Sequence, residues 1–270
     1  MATSDAASGP AERCASPSFE DVSAIDRIGR ASFRSTYVAP TGGALYGGQV
    51  MAQALVACGA TVAADRVPHS LHGYFLRRGS SAEPVDIWVD TDSDGRSYSA
   101  RRATVRQRGE TISTMSVSFR TDVRGEEFGP DPVVSVVPLE ACRTLTTEPT
   151  IAMDVRVYEW SARDNSFPTR FWARPAVPLV RDDPLMHAAA IAYLSDYSTG
   201  LVRRIGHEDL GPSLDHAIWF HEVPQWNDWI FVDLSPGLVR RRRGWYSGSI
   251  VADGSIVANL AQEMAYHERR

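Results

Sequence analysis

The chain has 270 residues, 43% of them hydrophobic and 23% charged, which supplies ample material for the core of one large or two ordinary globular domains. A net charge of −5 gives no global attraction to nucleic acid, and no apolar run approaches the ~18 residues of a membrane helix. Three cysteines (Cys14, Cys58 and Cys142), odd in number, widely spaced and without a Cys-x-x-Cys pair, argue against a disulfide framework and for a reducing cytoplasm.

Residues 1–17 are rich in Ala, Ser and Pro and lack an apolar signal-peptide core, so a disordered tail is predicted there. A first unit is expected over 18–121. Gly42-Gly43 and Gly47-Gly48 bracket a turn, and 49–58 predicts a helix with Met51, Ala54, Leu55 and Cys58 on one stripe and Gly59 as its stop. Strand-like runs follow at 70–76, 85–91, 97–107 and 111–120, with Asp94-Gly95 and Arg108-Gly109 as turns between them. The Pro- and Gly-bearing stretch 122–149 reads as a linker.

A second unit is expected over 150–270. It opens with strands at 155–160 and 169–174. Asp183-Pro184 is a helix start, an N-cap acid followed by proline at the first helical position, and the helix runs 185–195. Strands at 214–221, 229–234, 244–252 and 256–266 complete the unit, with Asp253-Gly254 as a type I′ hairpin signal.

The two units repeat one another. A shift of 145 positions lays residues 105–112 over 250–257, Met115 on Leu260, Phe119 on Met264 and Val117 on Gln262. A shift of about 144 brings His72-Gly73-Tyr74-Phe75 onto His216-Ala217-Ile218-Trp219. One helix followed by an antiparallel meander, performed twice, is an α+β arrangement in which each helix covers the apolar face of a sheet.

Polarity is out of place in the second unit alone. Alternation puts Ile256, Ala258, Leu260, Gln262 and Met264 on one face of the last strand, apolar except for Gln262. A buried carboxamide needs a dedicated partner. The helix offers one: Leu185, Ala188, Ala189, Ala192 and Asp196 share a stripe, and the small alanines allow close approach to the sheet. Asp196 sits at the helix C-terminus, where the macrodipole disfavours an acid, so a purely stabilising role is a poor fit.

Rival constellations fail on chemistry. Gly42–Gly47 and Gly43–Gly48 have phosphate-loop spacing but lack the following Lys-Ser/Thr. His216 and His221 fall on opposite faces of a strand, which argues against a zinc pair. No G-x-S-x-G elbow or Cys/His arrangement supplies a covalent nucleophile. The run Arg240–Arg243, read as strand, would alternate its side chains between faces, with one or two able to meet phosphates of an anionic ligand.

Several motifs in the right order resemble the acyl-CoA thioesterase II (TesB-like) family from about Leu45 to Tyr266. They are Tyr46-Gly47-Gly48-Gln49-Val50, the run 69–77 (HSLHGYFLR), the run 94–102 (DGRSYSARR), Tyr193-Leu194-Ser195-Asp196, the run 214–221 (LDHAIWFH) and Gln262-Glu263. The resemblance implies a double hotdog, two tandem units of a long helix wrapped by an antiparallel sheet, paired into one continuous sheet. It also implies hydrolysis of fatty acyl-CoA to free fatty acid and coenzyme A, with no cofactor or metal, and a homo-oligomer of such protomers.

The family's catalytic Asp, Thr or Ser hydroxyl and Gln carry over onto Asp196, Ser213 and Gln262, with serine where threonine is common. Asp196 would then accept a proton from a water that Ser213 and Gln262 position, and that water would attack the thioester in one step. Gly47 and Gly48 are candidates for the oxyanion and substrate contacts, and Arg241 and Arg243 for the phosphates of CoA. Val117 at the position of Gln262 implies one active cleft, with the N-terminal unit as scaffold. The alternatives are an enoyl-CoA hydratase, whose Asp and His lie close together in hotdog enzymes, whereas no histidine follows Asp196 within five residues, and a non-catalytic acyl-CoA-binding protein.

Overall fold

A computed structural model describes residues 17–39, 42–121, 135–146, 151–180 and 183–269. The tail expected at 1–17, but for its last residue, and positions 122–134 and 147–149 of the expected linker lie outside the described residues.

Three α-helices are described: α1 (Phe19–Ser23), α2 (Gly47–Gly59) and α3 (Pro184–Ser195). The Asp183 side chain accepts the Leu185 N–H at 2.9 Å and Pro184 takes the first turn, as the sequence predicts. Asp183→Ala should therefore lower stability by about 1 kcal/mol in urea denaturation without altering the native fold, and an unchanged midpoint would show the cap to be idle. α2 and α3 pack against each other, and α3 is buried from Met186 to Ser195. Its alanines at 188, 189, 190 and 192 are fully inaccessible, which is what lets two helices and a sheet share one narrow interior.

The strands are β1 (Ile25–Arg27), β2 (Ser32–Ser35), β3 (Arg66–Phe75), β4 (Asp86–Asp94), β5 (Tyr98–Gln107), β6 (Glu110–Thr121), β7 (Arg143–Leu145), β8 (Met153–Val157), β9 (Arg170–Pro175), β10 (Arg204–Ile205), β11 (Glu208–Ser213), β12 (Asp215–Phe220), β13 (Ile230–Arg240), β14 (Arg243–Ala252) and β15 (Ser255–Glu268). They form one antiparallel sheet in the order β1-β2-β4-β5-β6-β3-β12-β15-β14-β13-β9-β8-β7, with β11 paired to β15 and β10 to β11. The seam between the units is β3–β12, from Asp215↔Tyr74 to Trp219↔Ser70. Two helix-and-sheet units joined edge to edge in this way make a double hotdog.

Register decides which repeat alignment is structural. Leu71↔Val117 in the first unit corresponds to His216 facing Gln262 in the second, set by Ala217↔Ala261. Arg101↔Val117 corresponds to Tyr246↔Gln262. A shift of 145 therefore holds across these strands, and the alignment of His72 with His216 is corrected: the equivalent of His216 is Leu71. His72 points outward and is exposed, whereas His216 and Leu71 are buried. A one-residue slip exchanges the two faces of a strand, which is why the shift of 144 misplaced the histidine.

Turn chemistry behaves as expected at Asp253 (φ 49°) and Gly254 (φ 82°), both left-handed. The arginine run departs from the expected strand. Arg240 pairs with Arg243, and Arg241 (φ 51°) and Arg242 (φ 60°) form a two-residue turn without any glycine to announce it. Within the stretch read as linker, Leu139–Ala141 is a 3₁₀ turn and β7 adds to the sheet edge.

Candidate active site

Three elements of the C-terminal unit bring the predicted residues together. Asp196 is the C-cap of α3. Ser213 ends β11 just after a break in its register with β15, where it lies opposite Met264. Gln262 projects from the inner face of β15 and is 1% exposed. Gln262 Nε2 donates to Asp196 Oδ1 at 2.9 Å and to Ser213 Oγ at 2.5 Å, and Ser213 Oγ lies 3.4 Å from Asp196 Oδ1. A carboxylate, a hydroxyl and a carboxamide N–H thus converge on one point.

The N-terminal unit completes this cluster. The first turn of α2 begins at Gly47, and the Gly48 N–H hydrogen-bonds the Asp196 carboxylate. A Cβ on Gly47 would lie 2.6 Å from Asp196 Oδ2 and 3.1 Å from the Phe75 ring. A Cβ on Gly48 would collide with the Tyr193 carbonyl oxygen and lie 2.6 Å from the Tyr46 ring. The Tyr46 hydroxyl donates to that same carbonyl at 2.6 Å, tying the start of α2 to the end of α3. Asp196 is therefore at the unfavourable end of its own helix but at the favourable N-terminus of another.

Burial raises the Asp196 pKa to about 6, against the pull of hydrogen bonds from Gln262, the Gly48 N–H and Ser213. The carboxylate is thus mostly ionised at neutral pH yet more basic than an ordinary aspartate. His216, 4.0 Å from Asp196 Oδ1, is driven the other way: burial lowers its pKa to about 4, with the Gln262 hydrogen bond opposing and His72 adding a little. A neutral imidazole makes no ion pair with Asp196.

His216, Tyr246 and Ser195 are the polar groups that sequence reasoning passed over. His216 Nδ1 is 2.7 Å from Gln262 Oε1, its Nε2 is 2.8 Å from Ser195 Oγ, and the Tyr246 hydroxyl donates to Gln262 Oε1. The usable signal was alternation along β12, which sets His216 beside Ile218 and Phe220 on the inner face. With its side chain buried and both nitrogens engaged, His216 cannot act on a substrate as a hydratase histidine would.

Arg241 and Arg243 stand at the β13–β14 hairpin tip. Arg243 Nη1 approaches Glu263 at 3.4 Å, while Arg242 between them binds Glu208 and Glu268. Among the described residues, no group of three or more His, Cys, Asp or Glu side chains is arranged to hold a metal.

Residues 36–120 match the family model for the acyl-CoA thioesterase N-terminal domain, and residues 138–266 match that for the acyl-CoA thioesterase C-terminal domain. Acyl-coenzyme A thioesterase 8 of Mus musculus is 27% identical over 266 residues, spanning 84% of this chain and 81% of its own length. Acyl-CoA thioesterase 2 of Haemophilus influenzae is 26% identical over 249 residues, spanning 81% and 86%. Among solved structures, an acyl-CoA thioesterase II TesB2 from Mycobacterium marinum superposes with a TM-score of 0.77 and 30% identity, covering 93% of this chain and 97% of that one. A hot dog protein of Alicyclobacillus acidocaldarius, 19% identical with a TM-score of 0.76, shares the fold.

Proposed function

The chain belongs to the acyl-CoA thioesterase family and is a thioester hydrolase, and from that premise we propose that it converts fatty acyl-CoA to free fatty acid and CoA by one-step attack of a water held at Asp196. Asp196 accepts a proton as the water oxygen bonds to the thioester carbonyl carbon. The tetrahedral intermediate then expels the CoA sulfur, which leaves as the thiol with the proton that Asp196 took up. Ser213 and the Gln262 carboxamide fix the direction of attack. The oxyanion falls to the first turn of α2, where glycine keeps the backbone open; the Gly48 N–H is engaged by Asp196, so Gly47 is the nearer candidate. Arg241 and Arg243 remain our candidates for the CoA phosphates.

The observation that carries this reading is the shared hold of Gln262 Nε2 on Asp196 Oδ1 and Ser213 Oγ. A carboxylate with a pKa near 6 is both ionised and basic enough to act as a general base at neutral pH. The test is Gln262→Leu, since Val117 occupies the equivalent place in the first unit and an aliphatic side chain fits there. Thiol release from palmitoyl-CoA should fall ~10²-fold with the fold intact, as for the loss of one aimed donor. Undiminished turnover would remove the assignment. Crotonyl-CoA should show no loss of enoyl absorbance, and hydration of it would favour the hydratase alternative instead.

At the site equivalent to Gln262, His216 and Tyr246, the first unit has Val117, Leu71 and Arg101. Buried Arg101 fills that space, binding Thr61 Oγ1 at 2.9 Å and the Thr61 and Ser93 carbonyls. This supports one active cleft per chain, with the N-terminal unit as scaffold. Among the described residues no helix is long and apolar enough to cross a membrane. A cytoplasmic location and a homo-oligomer complete the proposal, supported by free Cys58 and Cys142 and by β1 and β7, which end the sheet among the described residues.

A further inference from the structure

We propose that His216, with Tyr246, is a positioning residue that locks the Gln262 carboxamide in the one orientation that serves Asp196 and the attacking water. The inference rests on the mechanism above and extends it to groups that never touch the substrate.

A carboxamide is nearly symmetric in shape, and its two ends have opposite hydrogen-bonding character. Asp196 as a carboxylate can only accept, so Nε2 must face it. A half-turn of the amide would set Oε1 against the carboxylate, acceptor to acceptor, and withdraw the N–H from Ser213. Two donors prevent this by binding Oε1: His216 Nδ1 at 2.7 Å and the Tyr246 hydroxyl. Because Oε1 cannot donate, the proton between it and His216 belongs to Nδ1. In a neutral ring Nε2 then accepts, and its donor is the Ser195 hydroxyl at 2.8 Å, whose single proton turns to the imidazole in place of the Ala192 carbonyl, also 2.8 Å away on α3. The result is a directed relay of bonds from Ser195 through His216 and Gln262 to Ser213 and Asp196. Its two ends, Ser195 and Asp196, are adjacent on the chain.

Two further observations favour a dedicated role over incidental packing. Burial lowers the His216 pKa, keeping the ring neutral, and raises that of Tyr246 well above the usual tyrosine value, keeping its hydroxyl a donor. More telling is the internal comparison the fold provides. The equivalents of His216, Gln262 and Tyr246 are Leu71, Val117 and Arg101, three neighbours across the same three strands. Neither the carboxamide nor its donors exist in the first unit, so the three form a set confined to the unit that carries Asp196.

Leu71 also supplies the control, because the equivalent site already accommodates leucine fully buried. His216→Leu should lower kcat on palmitoyl-CoA about 10- to 100-fold, the range seen when outer partners of metal ligands are removed, with KM changed by less than about threefold. His216→Asn, which keeps a donor near the position of Nδ1, should restore most of the loss. The decisive measurement is a double-mutant cycle: in a Gln262→Leu background, His216→Leu should have no further effect on kcat, since the group it orients is gone. Tyr246→Phe should behave the same way with a smaller loss, and it decides the matter if His216→Leu fails to fold. Full kcat in His216→Leu, or losses that multiply in the double variant, would overturn the inference. If Gln262→Leu itself turned over normally, the water-positioning mechanism would fall; an impaired Gln262→Leu beside a full-rate His216→Leu would remove only the positioning role.

Discussion

Asp196→Asn should lower kcat about 10²- to 10⁴-fold, the contribution of a positioned general base, while making the protein more stable at neutral pH and above. The sign of the second effect follows from linkage. The native carboxyl titrates near 6 and the unfolded one near 3.8, so between those values the native state binds more protons. Stability is therefore lost as pH rises through about 4 to 6, by up to about 3 kcal/mol in full, because folding confines an ionised carboxylate with only 9% of its side chain exposed. Asparagine keeps the shape and an oxygen for Gln262 and the Gly48 N–H. Denaturation at about pH 8 should show a gain of roughly 1–3 kcal/mol that disappears near pH 4. A variant that is inactive and also destabilised at pH 8 would mean that Asp196 serves the fold. A variant that is fully active would mean it is not the base.

Gly47→Ala should reduce turnover ~10²-fold with little effect on folding, because its Cβ would meet Asp196 Oδ2 at 2.6 Å and displace the carboxylate by a fraction of an ångström or more. Gly48→Ala should do worse. Its Cβ would press on the Tyr193 carbonyl, which is helix backbone and cannot swing aside, so α2 and α3 must separate. Overpacking of this kind costs about 1–3 kcal/mol, read in thermal or urea denaturation, and activity should vanish with it. Normal kinetics in Gly47→Ala would show that the start of α2 does not stand against the carboxylate. The pair of glycines thus explains why a site assigned to the second unit depends on the first.

Local chemistry was legible wherever a few adjacent residues decide the conformation. Asp183-Pro184, Asp253-Gly254 and the alternation that singles out Gln262 are of this kind, and all three behave as read. β11 carries no strand signal in its sequence, because glycine and proline at 211 and 212 disfavour a strand, yet it ends in Ser213 and brings that hydroxyl to Asp196. Ser213 entered through the family resemblance alone. His216 was hidden by a one-residue slip in the repeat alignment, which the alternation along β12 argues against and the sheet register corrects. The bond from Tyr46 to Tyr193, 147 residues apart, belongs to a contact between units that no local pattern encodes. The Arg240–Arg243 turn lacked the usual signal, as two arginines hold left-handed angles normally left to glycine or asparagine.

Direct attack of water at the thioester can be tested in one quenched single-turnover experiment, with enzyme in excess over palmitoyl-CoA in oxygen-18 water and mass spectrometry of protein and product at each time. CoA and fatty acid should appear at one common rate, each fatty acid carrying a single heavy oxygen, with the protein mass unchanged throughout. An acyl adduct on the protein, CoA released ahead of fatty acid, or heavy oxygen in the peptide that contains Asp196 would contradict direct hydrolysis by an Asp196-held water.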